Sequence, residues 1–499
     1  MNSFICAPIT ESDPEAYLAA ITKAAQSVDV IELRMDYLDH DGCQAVLKAL
    51  PELADGKRLL LTFRPRQQGG KRDLSLQDRQ NFWHDLPPEV VNAITFADFE
   101  FDLVESLANE SPLIPWGKVI CSWHDFGGTP NDLMARYDLM ARTPAAIIKI
   151  ATMANRIGDS LHIFELVEYA QNKKPVIALA MSLPGLATRV LSLSRGALLT
   201  FGSLKPGSES AAGQPTVAEL RDLYRVKQLT RDSEIYGVIG NPVGHSRSPL
   251  MHNAALPALN RDGVYLPFEV DDAASFIRDF LHPKTKKLDW NLRGVSVTIP
   301  HKLTVMPHLN WIEDTAKAIG AVNTIVVKEN EIHGYNTDVI GAMKPLDQIT
   351  DVRDARVAVI GAGGSARAIC YGLSQRNADV TIYTRDTRKA QPLADEFKTT
   401  LAALDSFIGQ ADIIINCTPI GMHGHSEGQS PLKAGSLRRV KLVYDLIYTP
   451  EETLLLRDAK AADCQTLGGL AMLVGQAVEQ FRLWTGAEPP VNVMWQALR

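Results

Sequence analysis

Cysteine is scarce and scattered in this chain: six residues in 499 (Cys6, Cys43, Cys121, Cys370, Cys417 and Cys464), with no CxxC pair. That spacing argues against a disulfide framework. Several of the six lie in apolar runs such as VICSW and IIINCTP, where a thiol reads as a small buried hydrophobe. A reducing, cytoplasmic compartment is expected. Long hydrophobic runs are missing too, since none reaches the roughly 18 residues that suggest a membrane span. No run of five or more basic residues occurs, the formal net charge is −7 and the pI is near 6.0. Nucleic acid and anionic membranes are therefore not expected as partners. The opening MNSFICAPITESDPEAY lacks a basic segment and soon turns acidic, so it reads as neither a signal nor a transit peptide. No ligand spacing suits a metal ion. What remains is a chain 45% hydrophobic and 22% charged, long enough for two or three domains each with its own core.

Eight apolar, β-branched-rich runs occupy the first two hundred residues: SFICAPI, DVIELRMDYL, RLLLTFRP, AITFADFEF, KVICSWHDF, AAIIKIATM, PVIALAMS and ALLTFGSL. Most are separated by stretches with helical spacing, such as PEAYLAAITKAAQ and DLMARYDLMA, and VAELRDLYRVKQL is the expected eighth helix. Eight strand–helix units predict a (β/α)₈ barrel, in which chemistry sits at the carboxyl ends of the strands. Polar residues gather late in these runs: Glu32, Arg34 and Asp36 in the second, Arg64 in the third, and His124 and Asp125 in the fifth. Arg189 follows the seventh run.

The sixth run contains a lysine, Lys149, among almost wholly apolar neighbours. Alone it reads as a cation snorkelling from an edge strand. At the mouth of a barrel, with arginines, it reads instead as a nucleophile that forms a Schiff base with a carbonyl. His124 can then move protons, and the arginines can fork onto a substrate carboxylate. The segment 205–216, KPGSESAAGQPT, has linker composition, yet its place after the eighth run suggests a lid with Ser210 and Gln214 as its polar contacts.

Together ELRMD, TFRP, SWHDF, KIATMA and the late FGS…S-x-x-x-Q loop resemble the type I 3-dehydroquinate dehydratases across residues 1–228. The resemblance implies dehydration of 3-dehydroquinate to 3-dehydroshikimate through an imine on Lys149, with His124 as general acid/base and no metal. It places Glu32, Arg34 and Arg64 on the ring hydroxyls, and Arg189, Ser210 and Gln214 on the carboxylate side and lid. One position departs from the pattern: four residues after Arg64, where the family often has glutamate, stands Gln68. An amide there keeps a hydrogen bond but cannot serve as a base.

A turn-rich junction of a few residues leads into IYGVIG and a second half. There Gly361-x-Gly363-x-x-Ala366 follows an apolar run and opens an apolar helix, and about twenty residues on a second strand ends. This is the dinucleotide-binding βαβ pattern, with the pyrophosphate expected at the helix N-terminus. That second strand ends in Thr384-Arg385, with Arg388 and Lys389 close behind, so a 2′-phosphate and hence NADP(H) is favoured over NAD; Asp386 argues the other way. Ser246 and Ser248 lie on a turn-like loop, Lys302 follows VSVTIP, and Asp338 lies in GYNTD. A lysine and an aspartate brought together would relay the proton of a hydroxyl–ketone redox step, although by themselves they read equally as a surface ion pair.

GNPVGHSRSP, VTIPHK, GAVNT, YNTD, GAGGSARA, NCTPIGM and GGLAMLVGQA, in that order, resemble the shikimate dehydrogenases over residues 234–499. The resemblance implies a two-lobed α/β unit: a shikimate-binding lobe over 234–340, completed by 477–499, and a Rossmann NADP-binding lobe over 341–476. It assigns Lys302 and Asp338 to catalysis, and Ser246, Ser248, Thr298, Asn323, Tyr448 and Gln476 to substrate. Gly361, Gly363, Gly364, Ala366, Arg385, Thr418 and Met422 are assigned to the cofactor. The whole chain thus resembles the bifunctional dehydratase–dehydrogenases known in plants and some bacteria, with small-molecule partners only, and a monomer is compatible with it. Two alternatives stand beside this reading. One keeps the fold with quinate as the redox substrate, against which Ser248 and Thr298 weigh. The other is a catalytically inactive metabolite sensor, against which Lys149, His124, Lys302 and Asp338 weigh.

Overall fold

The computed structural model describes residues 3–53, 56–109, 113–424 and 426–499. Its eight apolar runs become strands β1 (Phe4–Ile9), β2 (Val30–Arg34), β3 (Arg58–Thr62), β4 (Phe96–Glu100), β5 (Val119–Asp125), β6 (Ile147–Met153), β7 (Val176–Met181) and β8 (Leu199–Phe201). They pair in the order β7-β6-β5-β4-β3-β2-β1-β8. A bond from Leu198 N to Val176 O, 2.9 Å, draws the two ends together into a barrel. The strands are buried on both faces, which is why they read as continuous apolar runs rather than alternating ones.

Helices fill the crossovers, among them Pro14–Ala24, capped by the Asp13 carboxylate, and Leu76–His84, opened by a reciprocal Ser75–Asp78 capping box. The expected eighth helix is the exception. Only 217–223 coils, with wide winding over Glu219–Leu223, and Arg225, at a φ of 51°, lies just past its end.

Contacts divide the chain into two compact units, one holding Met1–Glu234, Asp262–Asp271 and Lys287–Asn291, the other the remainder. In the second unit Glu234–Gly240 pairs in parallel with Leu292–Val297, which pairs antiparallel with Thr324–Lys328 and so leads to the hairpin partner Glu331–Tyr335. A separate six-stranded parallel sheet runs Thr400–Ala403, Asp379–Thr384, Arg356–Ile360, Ile413–Asn416, Leu442–Asp445 and Gln465–Leu467. Its strand order reverses beside Arg356–Ile360, the switch point at which doubly wound sheets bind ligands.

The helix Gly469–Thr485 ties the two sheets of this unit together. Gly475 stands so near Gly341, on the helix Asp338–Asp347, that an added Cβ would lie 3.0 Å from the Gly341 Cα. Farther along, Gln480 accepts from Ser296 Oγ at 2.8 Å and donates to Thr324 Oγ1 at 3.1 Å.

Candidate active sites

One cavity in the barrel gathers every residue that the resemblance to the dehydratases assigns to that site. Glu32, Arg34 and Arg64 line it from β2 and β3, His124 and Lys149 from β5 and β6, and Arg189, Ser210 and Gln214 from beyond β7 and β8. Glu32 and Lys149 stand in mid-strand rather than at the strand ends, so the cavity reaches into the barrel interior. The 205–216 segment lies against the mouth, held where Ser182 N donates to Ala212 O and Ser203 N to Pro215 O.

Lys149 is 5% exposed, and burial of its charge is compensated. Its Nζ donates to Asp98 Oδ2 at 2.9 Å and lies 4.5 Å from the centre of the Phe201 ring. Asp98 also meets Arg64 Nη2 at 2.6 Å, as a charge contact, and accepts from Ser122 Oγ at 2.5 Å. Although burial works against the charge of Asp98, Arg64, Lys149 and His124 hold its carboxyl well below the usual range. Asp98 is the site residue that sequence reasoning missed. Its signal was Asp98 and Glu100 at i and i+2 within FADFE, a spacing that puts two carboxylates on one face of an otherwise apolar strand.

Burial, then Arg64 and Lys149, push the His124 imidazole well below its ordinary value, leaving it neutral and able to take a proton. Gln68 Oε1 accepts from the His124 backbone N at 2.9 Å, so the residue that departs from the family pattern touches His124. Arg189 is 1% exposed, and its Nε and Nη2 have no hydrogen-bond partner among the described residues. Burial alone brings it down to about 10. Gln214 Nε2 is likewise buried without a partner, while its Oε1 accepts from Ser210 N and Oγ. Buried donors left unsatisfied in a cavity fit an anionic ligand.

Two candidates turn out to be scaffolding. Asp36 is buried and grips Arg34 through two bonds of 2.8 and 2.9 Å, and Asp125 Oδ1 closes a turn by accepting from Gly127 N and Gly128 N. Neither lines the cavity, because each carboxylate is already satisfied next to its own strand end.

In the second unit Lys302 Nζ donates to Asp338 Oδ2 at 2.5 Å, and Asn323 Nδ2 donates to Asp338 Oδ1 at 2.8 Å. Asn323 is fixed in turn by Thr337 N, which donates to its Oδ1 at 2.8 Å. This chain of bonds explains why the sequence keeps Asn, Thr and Asp together in GAVNT and YNTD. Ser248 is buried at the start of the helix Ser248–Ala258, with its N donating to Ser246 Oγ at 3.3 Å. The Thr298 methyl packs over Gly240, where an added Cβ would lie 2.4 Å away. The Gln476 amide turns back to Leu473 O at 2.7 Å. Burial raises the Tyr448 hydroxyl, partly offset by Arg247. No hydrogen bond among the described residues joins Tyr448 or Gln476 to the Lys302–Asp338 pair.

The glycine loop fits a dinucleotide. Gly361 has a φ of 102°, and an added Cβ would meet Thr418 Cγ2 at 2.9 Å, so only glycine serves here. No atom of the described residues lies within 4 Å of where a Cβ would sit on Gly363, which leaves the backbone open to a phosphate. On Gly364 that Cβ would lie 3.3 Å from Lys302 Cδ, which brings the loop beside the catalytic candidate. Ala366 is fully buried behind it. Arg385, Arg388 and Lys389 are exposed past the second strand, whereas Asp386 caps the helix Thr387–Phe397 by accepting from Lys389 N at 3.1 Å. The acidic residue is thus occupied with the helix. Thr418 donates to Asn416 Oδ1 at 2.7 Å, and Met422 is 39% exposed. No hydrogen bond among the described residues joins Arg385 or Met422 to the Lys302–Asp338 pair.

Comparison with known proteins agrees with both halves. Residues 5–231 match the family model of type I 3-dehydroquinase, 238–325 the shikimate dehydrogenase substrate binding domain, 344–423 shikimate / quinate 5-dehydrogenase, and 469–499 the shikimate 5'-dehydrogenase C-terminal domain. The chain is 32% identical to the chloroplastic bifunctional 3-dehydroquinate dehydratase/shikimate dehydrogenase of Arabidopsis thaliana, over 99% of this chain and 84% of that protein. It is 39% identical to the shikimate dehydrogenase (NADP(+)) of Methanothermobacter thermautotrophicus, over 54% of this chain and 98% of that one. A crystal structure of a shikimate dehydrogenase in complex with NADP+ superimposes with a TM-score of 0.50 at 38% identity, covering 53% of this chain and 94% of the other. No described helix is long and apolar enough to cross a membrane. The chain belongs to the bifunctional 3-dehydroquinate dehydratase/shikimate dehydrogenase family.

Proposed function

We propose the following division of labour between the two sites. In the barrel, Lys149 attacks the ketone of 3-dehydroquinate and loses water to form an iminium. The iminium withdraws electrons, so the proton on the adjacent carbon becomes acidic. His124 removes it, then returns it to the departing hydroxyl, and hydrolysis frees 3-dehydroshikimate and Lys149. Asp98 holds Lys149 beforehand, and its charge stabilises the iminium that replaces the ammonium. Arg189, Gln214 and Ser210 receive the carboxylate, while Glu32, Arg34 and Arg64 meet the ring hydroxyls.

In the second unit 3-dehydroshikimate is reduced to shikimate. NADPH, when bound, supplies the hydride. Lys302 and Asp338 orient the carbonyl oxygen and deliver the proton. Asn323, Ser246, Ser248, Thr298, Gln476 and Tyr448 hold the ring and its carboxylate. Gly361, Gly363, Gly364 and Ala366 accept the pyrophosphate, Arg385 the 2′-phosphate, and Thr418 and Met422 border the nicotinamide. We assign the dehydratase to residues 1–228, the substrate lobe to 234–340 completed by 477–499, and the cofactor lobe to 341–476. A cytoplasmic setting is our reading of six free thiols.

The observation that carries this reading is the gathering of Lys149, His124 and the buried, partnerless donors of Arg189 in one cavity. The test is to supply 3-dehydroquinate and NADPH and identify the product by mass. Shikimate supports both sites. Quinate would mean that the second unit reduces the first substrate directly. Accumulated 3-dehydroshikimate without NADPH loss would sink the dehydrogenase assignment.

A further inference from the structure

The reaction described above gives no task to Glu100. It ends β4 opposite Ser122 and is 1% exposed. Its Oε2 accepts from Arg79 Nη1 at 3.0 Å. Its Oε1 has no hydrogen-bond partner among the described residues and lies 3.7 Å from Arg64 Nη1. That same Nη1 stands 3.0 Å from His124 Nδ1, 3.3 Å from His124 Nε2 and 3.3 Å from Ser122 Oγ. Two ring nitrogens within 3.3 Å of one atom put that atom over the imidazole face rather than in line with either lone pair. Burial first, and then the Arg64 cation held there, oppose protonation of His124. The ring accepts a substrate proton more readily when that positive charge is offset, and the buried carboxylate oxygen 3.7 Å from Nη1 belongs to Glu100.

We propose that Glu100 is a positioning residue of the dehydratase, whose carboxylate offsets the Arg64 charge over the His124 ring and so lets His124 accept the substrate proton. This rests on the reading of His124 as the proton carrier.

The charges around Glu100 make the device sensitive to pH. Arg64 faces it from β3, Asp98 from its own strand and Arg79 from the helix Leu76–His84, with His124 of β5 beyond Arg64. Arg79 is itself shared with Asp102, at 2.5 Å. Burial pushes the Glu100 carboxyl up, Arg64 pulls it down, Asp98 pushes it up again and Arg79 pulls it down, which leaves it raised to about 7. Below that pH Glu100 takes a proton, the Arg64 charge is no longer offset, and dehydration slows. His124 itself is held well below its ordinary value, so its own titration does not produce that limb.

The test is Glu100→Gln in the full chain, measured as kcat and KM for 3-dehydroquinate across neutral pH, with borohydride trapping of the imine on Lys149 in parallel. The expected result is a kcat lower by roughly tenfold or more, the scale of a weakened general base. KM should change little, trapping should persist, and the limb near pH 7 should vanish. Arg79→Gln is the second variant. It keeps Glu100 but removes a cation that lowers it, so the limb should move to higher pH.

Glu100→Gln with wild-type kcat and an intact limb would overturn the inference, as would a raised KM at unchanged kcat, which is the sign of a substrate contact. Should Glu100→Gln fail to trap, Arg79→Gln decides, and an unmoved limb there counts against it. If the unaltered protein forms no trapped imine while it turns over, the Schiff-base reading itself fails and this inference falls with it.

Discussion

The two lysines proposed to carry the chemistry are held in contrasting ways. Lys149 sits inside a barrel within a buried series of alternating charges that runs through Asp98, Arg64, Glu100 and Arg79 to Asp102 near the surface. Lys302 leans on a single carboxylate, with the glycine loop of a separate sheet beside its stem. The difference suits the proposed reactions. Imine chemistry needs a dry pocket in which every charge is already paired or aimed at the substrate, because a stray buried charge is costly. Hydride transfer needs room for a large cofactor to enter and leave, so its residues are spread over two sheets and several of them stay exposed until it binds.

Each expected outcome below separates the two sites or probes how one of them is built. Lys149→Ala should abolish dehydration of 3-dehydroquinate while NADPH oxidation with 3-dehydroshikimate continues at the original rate; loss of both activities would contradict two independent sites. Lys302→Ala should do the reverse, lowering dehydrogenase turnover by roughly 10²–10⁴ and leaving dehydration intact. Asp98→Asn leaves Lys149 and Arg64 short of their shared anion. Breaking such a buried pair costs on the order of 3–5 kcal/mol, so thermal unfolding of the barrel should shift downward. Arg385→Ala should raise KM for NADPH by about tenfold to a hundredfold, the worth of a charge-assisted bond of ~1.5–3 kcal/mol, and leave KM for NADH unmoved. The smallest effect belongs to Asp386→Ala, which removes a helix cap worth about 1 kcal/mol. It should lower stability slightly and leave cofactor preference alone, which would confirm that this carboxylate serves the helix rather than the ribose.

The eight barrel strands were legible because parallel strands covered on both faces must be apolar throughout, and Lys149 stood out against that background. The glycine fingerprint was legible because only glycine tolerates Gly361's φ beside Thr418. What escaped were partners rather than principals. Asp98 and Glu100 lie in FADFE, which reads as one more apolar strand until its two-residue period is set against Lys149 and Arg64, residues distant from it in sequence but paired with Asp98 in the folded barrel. Asp36 and Asp125 fall late in their runs, where type and place suit the mouth, and only local hydrogen bonds reveal that each is spent on its own loop. The eighth helix stops short beside a positive φ at Arg225, which no side-chain pattern announces.

The most direct test of the account is borohydride reduction during turnover of 3-dehydroquinate, followed by mass analysis of the peptides and an assay of the trapped protein with 3-dehydroshikimate and NADPH. The account expects a single adduct on the peptide carrying Lys149, no remaining dehydration, and dehydrogenase activity that survives. An adduct on another lysine, or turnover with no adduct at all, would contradict it.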